Sequence, residues 1–232
     1  MITDLTQAET LRFADALAAL RDDDWARKTD CTLWTVRDMA GHVLGMTRTF
    51  SALPQFVSHM VAGTRAAGER PQIDGLTEVQ VKRNESLSTR ALVDELRTLA
   101  PKNAAWRKSR RLMRRIPMKI DMKGGRETWR LGFLFDTVLT RDTWMHRVDL
   151  ARAVDQPMTL TADHDGRIVA DAVDEWARRH GQAYALRLTG PAGGEFRRGE
   201  GGPSIEIDAV EFCRILSGRA EGDGLLNQEV PF

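Results

Sequence analysis

Cysteine occurs only twice in this 232-residue chain, at Cys31 and Cys213. The two stand far apart and neither belongs to a Cys-x-x-Cys pair, which excludes a zinc ribbon or a thioredoxin-type motif. Cys213, between Phe212 and Ile215 on a short helical stretch, reads as core packing rather than as a nucleophile. No apolar run approaches the length of a membrane span. The opening residues, MITDLTQAETLRF, carry acids where a signal peptide has its basic and then apolar regions. These absences lead to the expectation of a cytoplasmic protein with no membrane partner, where a structural disulfide is not expected. Internal repeats are also missing.

An excess of one charge is lacking overall, since 34 Lys+Arg against 33 Asp+Glu leave +1. Locally it is present. Residues 102–130, KNAAWRKSRRLMRRIPMKIDMKGGRETWR, hold eleven Lys/Arg and two acids, so this run carries +9 and the remainder −8. A basic run beside tryptophans raises nucleic acid as a ligand, but it contains no RNA- or DNA-reading motif and the whole chain is near neutral. It reads instead as a solvated helix face, or as a rim that attracts small anionic substrates. No nucleic-acid partner is expected.

What is present is the composition of a globular protein, 42% hydrophobic and 29% charged, long enough for one large domain or two smaller ones. Residues 3–21 space Leu5, Ala8, Leu11, Ala14 and Ala18 as a helix does. A second helix starts in LWTVRDMAGHVLGMTRTF, with Thr35 as N-cap, Asp38 in the first turn, and Pro54 at or just past its end. Residues 63–75, with three Gly and one Pro, read as a connection. A third helical stretch runs from about 76, with Ser88 capping a continuation through 89–100. Pro101 interrupts it, and Pro117 with Gly124-Gly125 ends the segment after that proline. A fourth helix spans about 130–154 and stops before Gln156-Pro157. Four such helices predict an up-down bundle over residues 1–157.

After Pro157 the pattern changes. Thr161 or Asp163 caps a helix that Gly181 ends, YALRLTG and PSIEIDA alternate as strands, and five glycines within 193–202 join them as a hairpin-like connection. Asp208 with Glu211 starts a last helix that Gly218 closes. The expected fold class is therefore α+β: a helical bundle, then a small α/β domain over 158–232.

The stretch TRDTWMHRVDLARAV, residues 140–154, holds polar groups in an unexpected place. On a helical wheel with Leu131 at zero, Leu134, Phe135, Val138, Leu139 and Met145 fall within about 80°. Asp142, His146 and Asp149 fall at about 20°, 60° and 0°, inside the same stripe. Burying an ionised carboxylate costs several kcal/mol unless it is paired or bound to a metal. Asp142 and His146, at i and i+4, project from one face and can share a ligand. His42, beside Met39 and Met46 on the second helix, is the best third ligand, whereas His59, His164 and His180 lie in or near helix ends and loops. A His/Asp/His set suits Zn²⁺ or another divalent transition metal, and three protein ligands leave an open position. Asp149 would accept from the His146 imidazole and hold its tautomer, with a direct Asp149–Arg salt bridge as an equal alternative. The plainer reading is a local hydrogen bond, or an ion pair with Arg141, Arg147 or Arg152.

The segments WTVRDMAGHVLG, TRDTWMHRVDLARAV and VEFCRILSGRAEGDGLL…VPF together resemble the mycothiol-dependent maleylpyruvate isomerase family. The resemblance covers nearly the whole chain. It implies a DinB-type metal-binding four-helix bundle joined to a small α/β C-terminal domain, with metal ligands at His42, Asp142 and His146. The isomerase itself is known with glutamate as the acidic ligand; the shorter Asp142 still ligates, and leaves the substrate open. Arg219 in SGRAEG is the nearest match to an arginine that faces the isomerase's active site. The resemblance further implies mycothiol as thiol co-substrate. A thiol at the metal's open position loses its proton, and the thiolate adds to a small electrophile. Isomerase and transferase share that step. Two other readings stand beside it: a metal-dependent hydrolase using metal-bound water, and a non-enzymatic metal-binding or interaction protein. The chain is expected as a monomer or homodimer.

Overall fold

In the computed structural model, which describes residues 2–122 and 124–232, helix α1 (Thr6–Ala18) buries Phe13, Ala14 and Leu17. The same face buries Thr6, Glu9 and Thr10, while Ala8 and Ala18 of the expected stripe face solvent. The polar half of that face is matched: Glu9 accepts from Arg147 Nε at 2.7 Å and Nη2 at 3.0 Å. Helix α2 (Val36–Thr49) starts as its sequence predicts. Thr35 accepts from the Asp38 backbone N–H, and the Asp38 carboxylate accepts from the Thr35 backbone N–H at 2.9 Å.

Helix α2 ends at Thr49, and Pro54 belongs to a helix the pattern did not show, α3 (Leu53–Ala67). At the first turn a proline is tolerated, because its missing N–H has no partner there in any helix. Helix α4 (Gln72–Asn84) packs back on α3, so only residues 68–71 connect, and the expected connection over 63–75 is corrected. The reason is visible in the composition of the contact. Helix α3 turns Leu53, Val57 and Val61 outward and buries His59, Gly63 and Ala67, the reverse of an apolar stripe. A Cβ on Gly75 would lie 2.3 Å from the Ala67 nitrogen and the Gly63 oxygen, so the two backbones meet where side chains would block them.

Helix α5 (Thr89–Ser109) is capped by Ser88, whose hydroxyl accepts from the Ala91 N–H, and it runs through Pro101. An interior proline costs about 3 kcal/mol, here offset by burial of Leu96, Ala100, Asn103 and Trp106 around it. The rest of the basic run is not one helix face. It continues into β1 (Pro117–Met122) and β2 (Gly125–Arg130), which pair as a two-stranded sheet; Lys123 of that run lies outside the described residues. Several of its charges are internally matched, Arg114 by Asp136 and Arg126 by Asp121.

The expected fourth helix is three pieces: α6 (Leu131–Phe133), a π-type turn (Leu134–Val138) and α7 (Leu139–Ala153). A π turn inserts one residue, so the helical wheel loses its phase by about 100° across it. Stripe assignments that span Leu131 to Asp149 therefore do not hold as one face. Helix α7 has hardly any solvent face: from Leu139 to Leu150 every residue is buried except half-buried Asp142. Arg107 of α5 holds the π turn, donating from Nε at 2.7 Å and also from Nη2 to the Phe135 carbonyl, with Nη2 reaching Thr140 Oγ1 at 3.0 Å.

Four helices close a ring of packing, α1 on α5, α5 on α2, α2 on α7 and α7 on α1, and the α3–α4 hairpin lies on α2 through α4. The interior holds Phe13, Leu17, Met39, Val43, Leu92, Leu96 and Leu150, and a second apolar cluster gathers Phe50, Trp106 and Phe135. Thr3–Met122 and Arg126–Pro157 form this unit, and Met158–Phe232 form another, together with Ile2, Gly124 and Gly125.

In that second unit Thr161 stands at the N-cap position as expected, its side chain makes no cap bond, and Asp165 closes the helix start by accepting from the Thr161 backbone N–H at 2.7 Å. Helix α8 (Arg167–His180) ends on left-handed Gly181. Strand β3 (Tyr184–Thr189) is central in a three-stranded sheet, antiparallel to β4 (Gly194–Arg198) and parallel to β5 (Ser204–Asp208). The expected hairpin-like connection over 193–202 is corrected: it contains β4, and the two strands it joins pair in parallel, which a hairpin does not allow. Helix α9 (Ala209–Leu216) starts on the Asp208 side chain, which accepts from the Val210 and Glu211 N–H groups. Cys213 is buried on α9, and Trp176 packs on Tyr184 and Phe212. The whole is α+β. Among the described residues no helix is long and apolar enough to cross a membrane.

Candidate metal centre

Helices α2 and α7 bring His42 to Asp142 and His146, which lie at least a hundred positions further along the sequence. His42 Nε2 lies 3.9 Å from Asp142 Oδ2, and His146 Nε2 lies 3.5 Å from Asp142 Oδ1. One donor atom from each of the three lies within 4.8 Å of the others. Metal–ligand bonds of about 2.0–2.2 Å at tetrahedral angles separate donors by roughly 3.3–3.6 Å. The His146–Asp142 separation falls in that range and the His42–Asp142 separation lies about 0.3 Å beyond it, so the donor set suits a small divalent cation and its spacing is slightly wider than one bound there requires. The imidazoles are enclosed, at 8% and 4% side-chain exposure, while Asp142 keeps 22%.

The two imidazoles sit in different electrostatic surroundings. Burial pushes His42 down to about 4, against the attraction of Asp142 and with the added repulsion of His146. It is neutral at pH 7, the form that ligates. Burial also opposes charge on His146, but Asp142 by charge and hydrogen bond, then hydrogen bonds to Asp149 and Cys31, hold its pKa well above the ordinary value. Those two carboxylates favour the protonated ring, and a metal bound at Nε2 would have to displace a proton held there.

Asp149, one turn on, has a fully buried side chain, and its Oδ2 lies 3.1 Å from His146 Nδ1. That bond directs the ring's other nitrogen, Nε2, toward Asp142. Arg147 and Arg152, two arginines within reach of this helix face, bond Glu9 and Asp30. Cys31 and Trp34 were not legible as site residues. The Cys31 thiol donates to Asp149 Oδ2 at 3.6 Å, and the Trp34 ring lies 4.8 Å from the His42 ring, centroid to centroid. Both stand in the short turn before the α2 cap, tied by the Trp34 N–H to the Cys31 carbonyl at 2.8 Å. No periodicity marks such a turn. Of the other histidines, His59 is not near a helix end: it is buried in mid-α3. Arg219 belongs to the other unit, half-buried in the turn after α9, where its backbone N–H donates to the Arg214 carbonyl.

The family model for the mycothiol maleylpyruvate isomerase N-terminal domain matches residues 6–151, a span that includes every residue of this cluster. The chain belongs to that family. Two solved structures of the mycothiol-dependent maleylpyruvate isomerase share its fold. One covers 99% of this chain and 93% of its own at 17% identity and TM-score 0.52. The other, a histidine-to-alanine mutant, covers 94% and 88% at 14% identity and TM-score 0.54. Among curated proteins there is no match. In a mycothiol maleylpyruvate isomerase family fold, then, the cluster of His42, Asp142 and His146 lies within the family-defining region.

Proposed function

We propose that this protein is a metal-dependent enzyme that uses a low-molecular-weight thiol, mycothiol by the family's name, to transfer to or isomerise a small electrophile. The observation that carries the reading is the meeting of His42 Nε2, Asp142 and His146 Nε2 from two helices, with one donor atom from each within 4.8 Å of the others. His42, Asp142 and His146 would hold it, and Zn²⁺ is the cation this donor set suits best among those with an open position. Bound there, a divalent cation supplies the positive charge that favours the deprotonated form of a thiol at neutral pH. The chain's own residues prepare the place. Asp149 orients His146, burial keeps His42 neutral, and Trp34 flanks the imidazoles with an apolar surface.

Purified protein is expected to hold about one metal ion per chain by elemental analysis, and His42→Ala to hold none. Consumption of an electrophile such as maleylpyruvate is then measured with mycothiol present or omitted. Turnover that needs the thiol supports the reading. Turnover undiminished without any thiol would replace it with hydrolysis by activated water, and a wild type that binds no metal would remove both.

A further inference from the structure

Helix α4 crosses α2 at Gly45, where a Cβ would lie 2.5 Å from the Gln80 Cβ. The glycine lets Gln80 settle against α2 between His42, one turn before, and Thr49, one turn after. Gln80 is 2% exposed and His42 6%, so their polar atoms must find partners within the protein. Hydrogen accounting fixes how the amide is turned. Thr49 Oγ1 has one proton and two candidate acceptors, the Gly45 carbonyl at 2.7 Å and His59 Nδ1. Whichever takes it, the hydroxyl can only accept from Gln80, whose Nε2 lies 3.4 Å away. The amide oxygen is thereby turned from Thr49 and left for another donor. Neither Gln80 Oε1 nor His42 Nδ1 completes a hydrogen bond of ordinary geometry with any described residue, and the amide acts on the ring in the direction that favours its protonated form. A buried acceptor on Gln80 and a buried ring nitrogen one turn along α2 can satisfy each other only if Nδ1 carries the hydrogen.

We propose that Gln80 is a positioning residue: its amide oxygen accepts from His42 Nδ1–H and fixes the tautomer whose Nε2 lone pair faces Asp142. Asp149 plays the matching part for His146, so each imidazole is oriented by a buried oxygen behind it. The ligand role of His42 rests on the proposed metal site; the tautomer itself does not.

The test uses the full chain in two measurements. In metal-free protein labelled with ¹⁵N-histidine, His42 is expected to be protonated at Nδ1, and Gln80→Leu to lose that preference. Zinc affinity, measured by competition with a chromophoric chelator, is expected to fall about 10–100-fold in Gln80→Leu. Gln80→Glu, which keeps an acceptor oxygen, is expected to stay within about threefold of wild type. Should Gln80→Leu not fold, Gln80→Met keeps the length and removes the amide. Protonation at Nε2 in the wild type, or unchanged tautomer and zinc affinity in the folded apolar variant, would overturn the proposal. Wild type that binds no zinc, but whose Nδ1 tautomer is lost on removing the amide, leaves Gln80 in its role and removes the metal reading alone.

Discussion

His59, in mid-α3, bonds the Thr49 hydroxyl and lies near the guanidinium groups of Arg48 and Arg83. Burial, then those two charges, push its pKa from the ordinary 6.5 down to about 4. Because the folded value lies below the unfolded one, the unfolded chain takes up the proton first as pH falls. The contribution of His59 to stability is whole above about pH 6.5 and is lost progressively between about 6.5 and 4. Allowing for relaxation of the surroundings around the charged ring, this amounts to roughly 1–2 kcal/mol. Urea unfolding at pH 7 and pH 5 is expected to show a larger loss in wild type than in His59→Gln. Equal losses in the two proteins would place the pH dependence elsewhere. At this scale Asp142, His146 and Asp149 were legible, because spacings of three and four residues along a helix are local geometry. Cys31, Trp34 and Gln80 were not, because their places by the imidazoles depend on a turn and on a helix crossing.

At the scale of elements, the contact of α3 with α4 is set by backbone proximity. Gly75→Ala forces a methyl against the Ala67 nitrogen and the Gly63 carbonyl, both 2.3 Å away and neither able to rotate aside. Overpacking of this kind costs about 1–3 kcal/mol, expected as a lowered urea midpoint with unchanged slope. A midpoint equal to wild type would mean that the hairpin shifts freely on itself. Elements with a chemical signal at their ends were readable: Thr35 with Asp38, Ser88 before α5, and Asp208 before α9 all cap as their sequences indicate. Helix α3 was missed because it buries small and polar residues while exposing its valines. Strand β4 was missed among glycines, and Pro101 was given more weight than a well-packed helix allows. The π turn before α7 has no local signature. It is held from outside, by Arg107 on the Phe135 carbonyl, so part of the basic run supports the centre's helix instead of facing water.

For the whole molecule, a cation held by the folded chain and not by the unfolded one stabilises by mass action. At a free zinc concentration 100 times the dissociation constant the gain is about 2.7 kcal/mol. Thermal unfolding of wild type is therefore expected at a higher temperature with zinc than with a chelator, and His42→Ala is expected to show no such difference. Identical melting of wild type under both conditions would count against a metal centre built on these residues. The sequence by itself determined the helical and strand character of most segments, the caps, and the Asp142–His146 pair, since all of these depend on neighbours within about one helical turn. Only the tertiary structure decided that His42 faces that pair, that Asp149 stands behind the His146 imidazole, that Gln80 is pressed against α2 at Gly45, and that α7 is covered on nearly every side. Those contacts join residues far apart in the chain, and they form because the packing of four helices, rather than any local preference, brings their faces together.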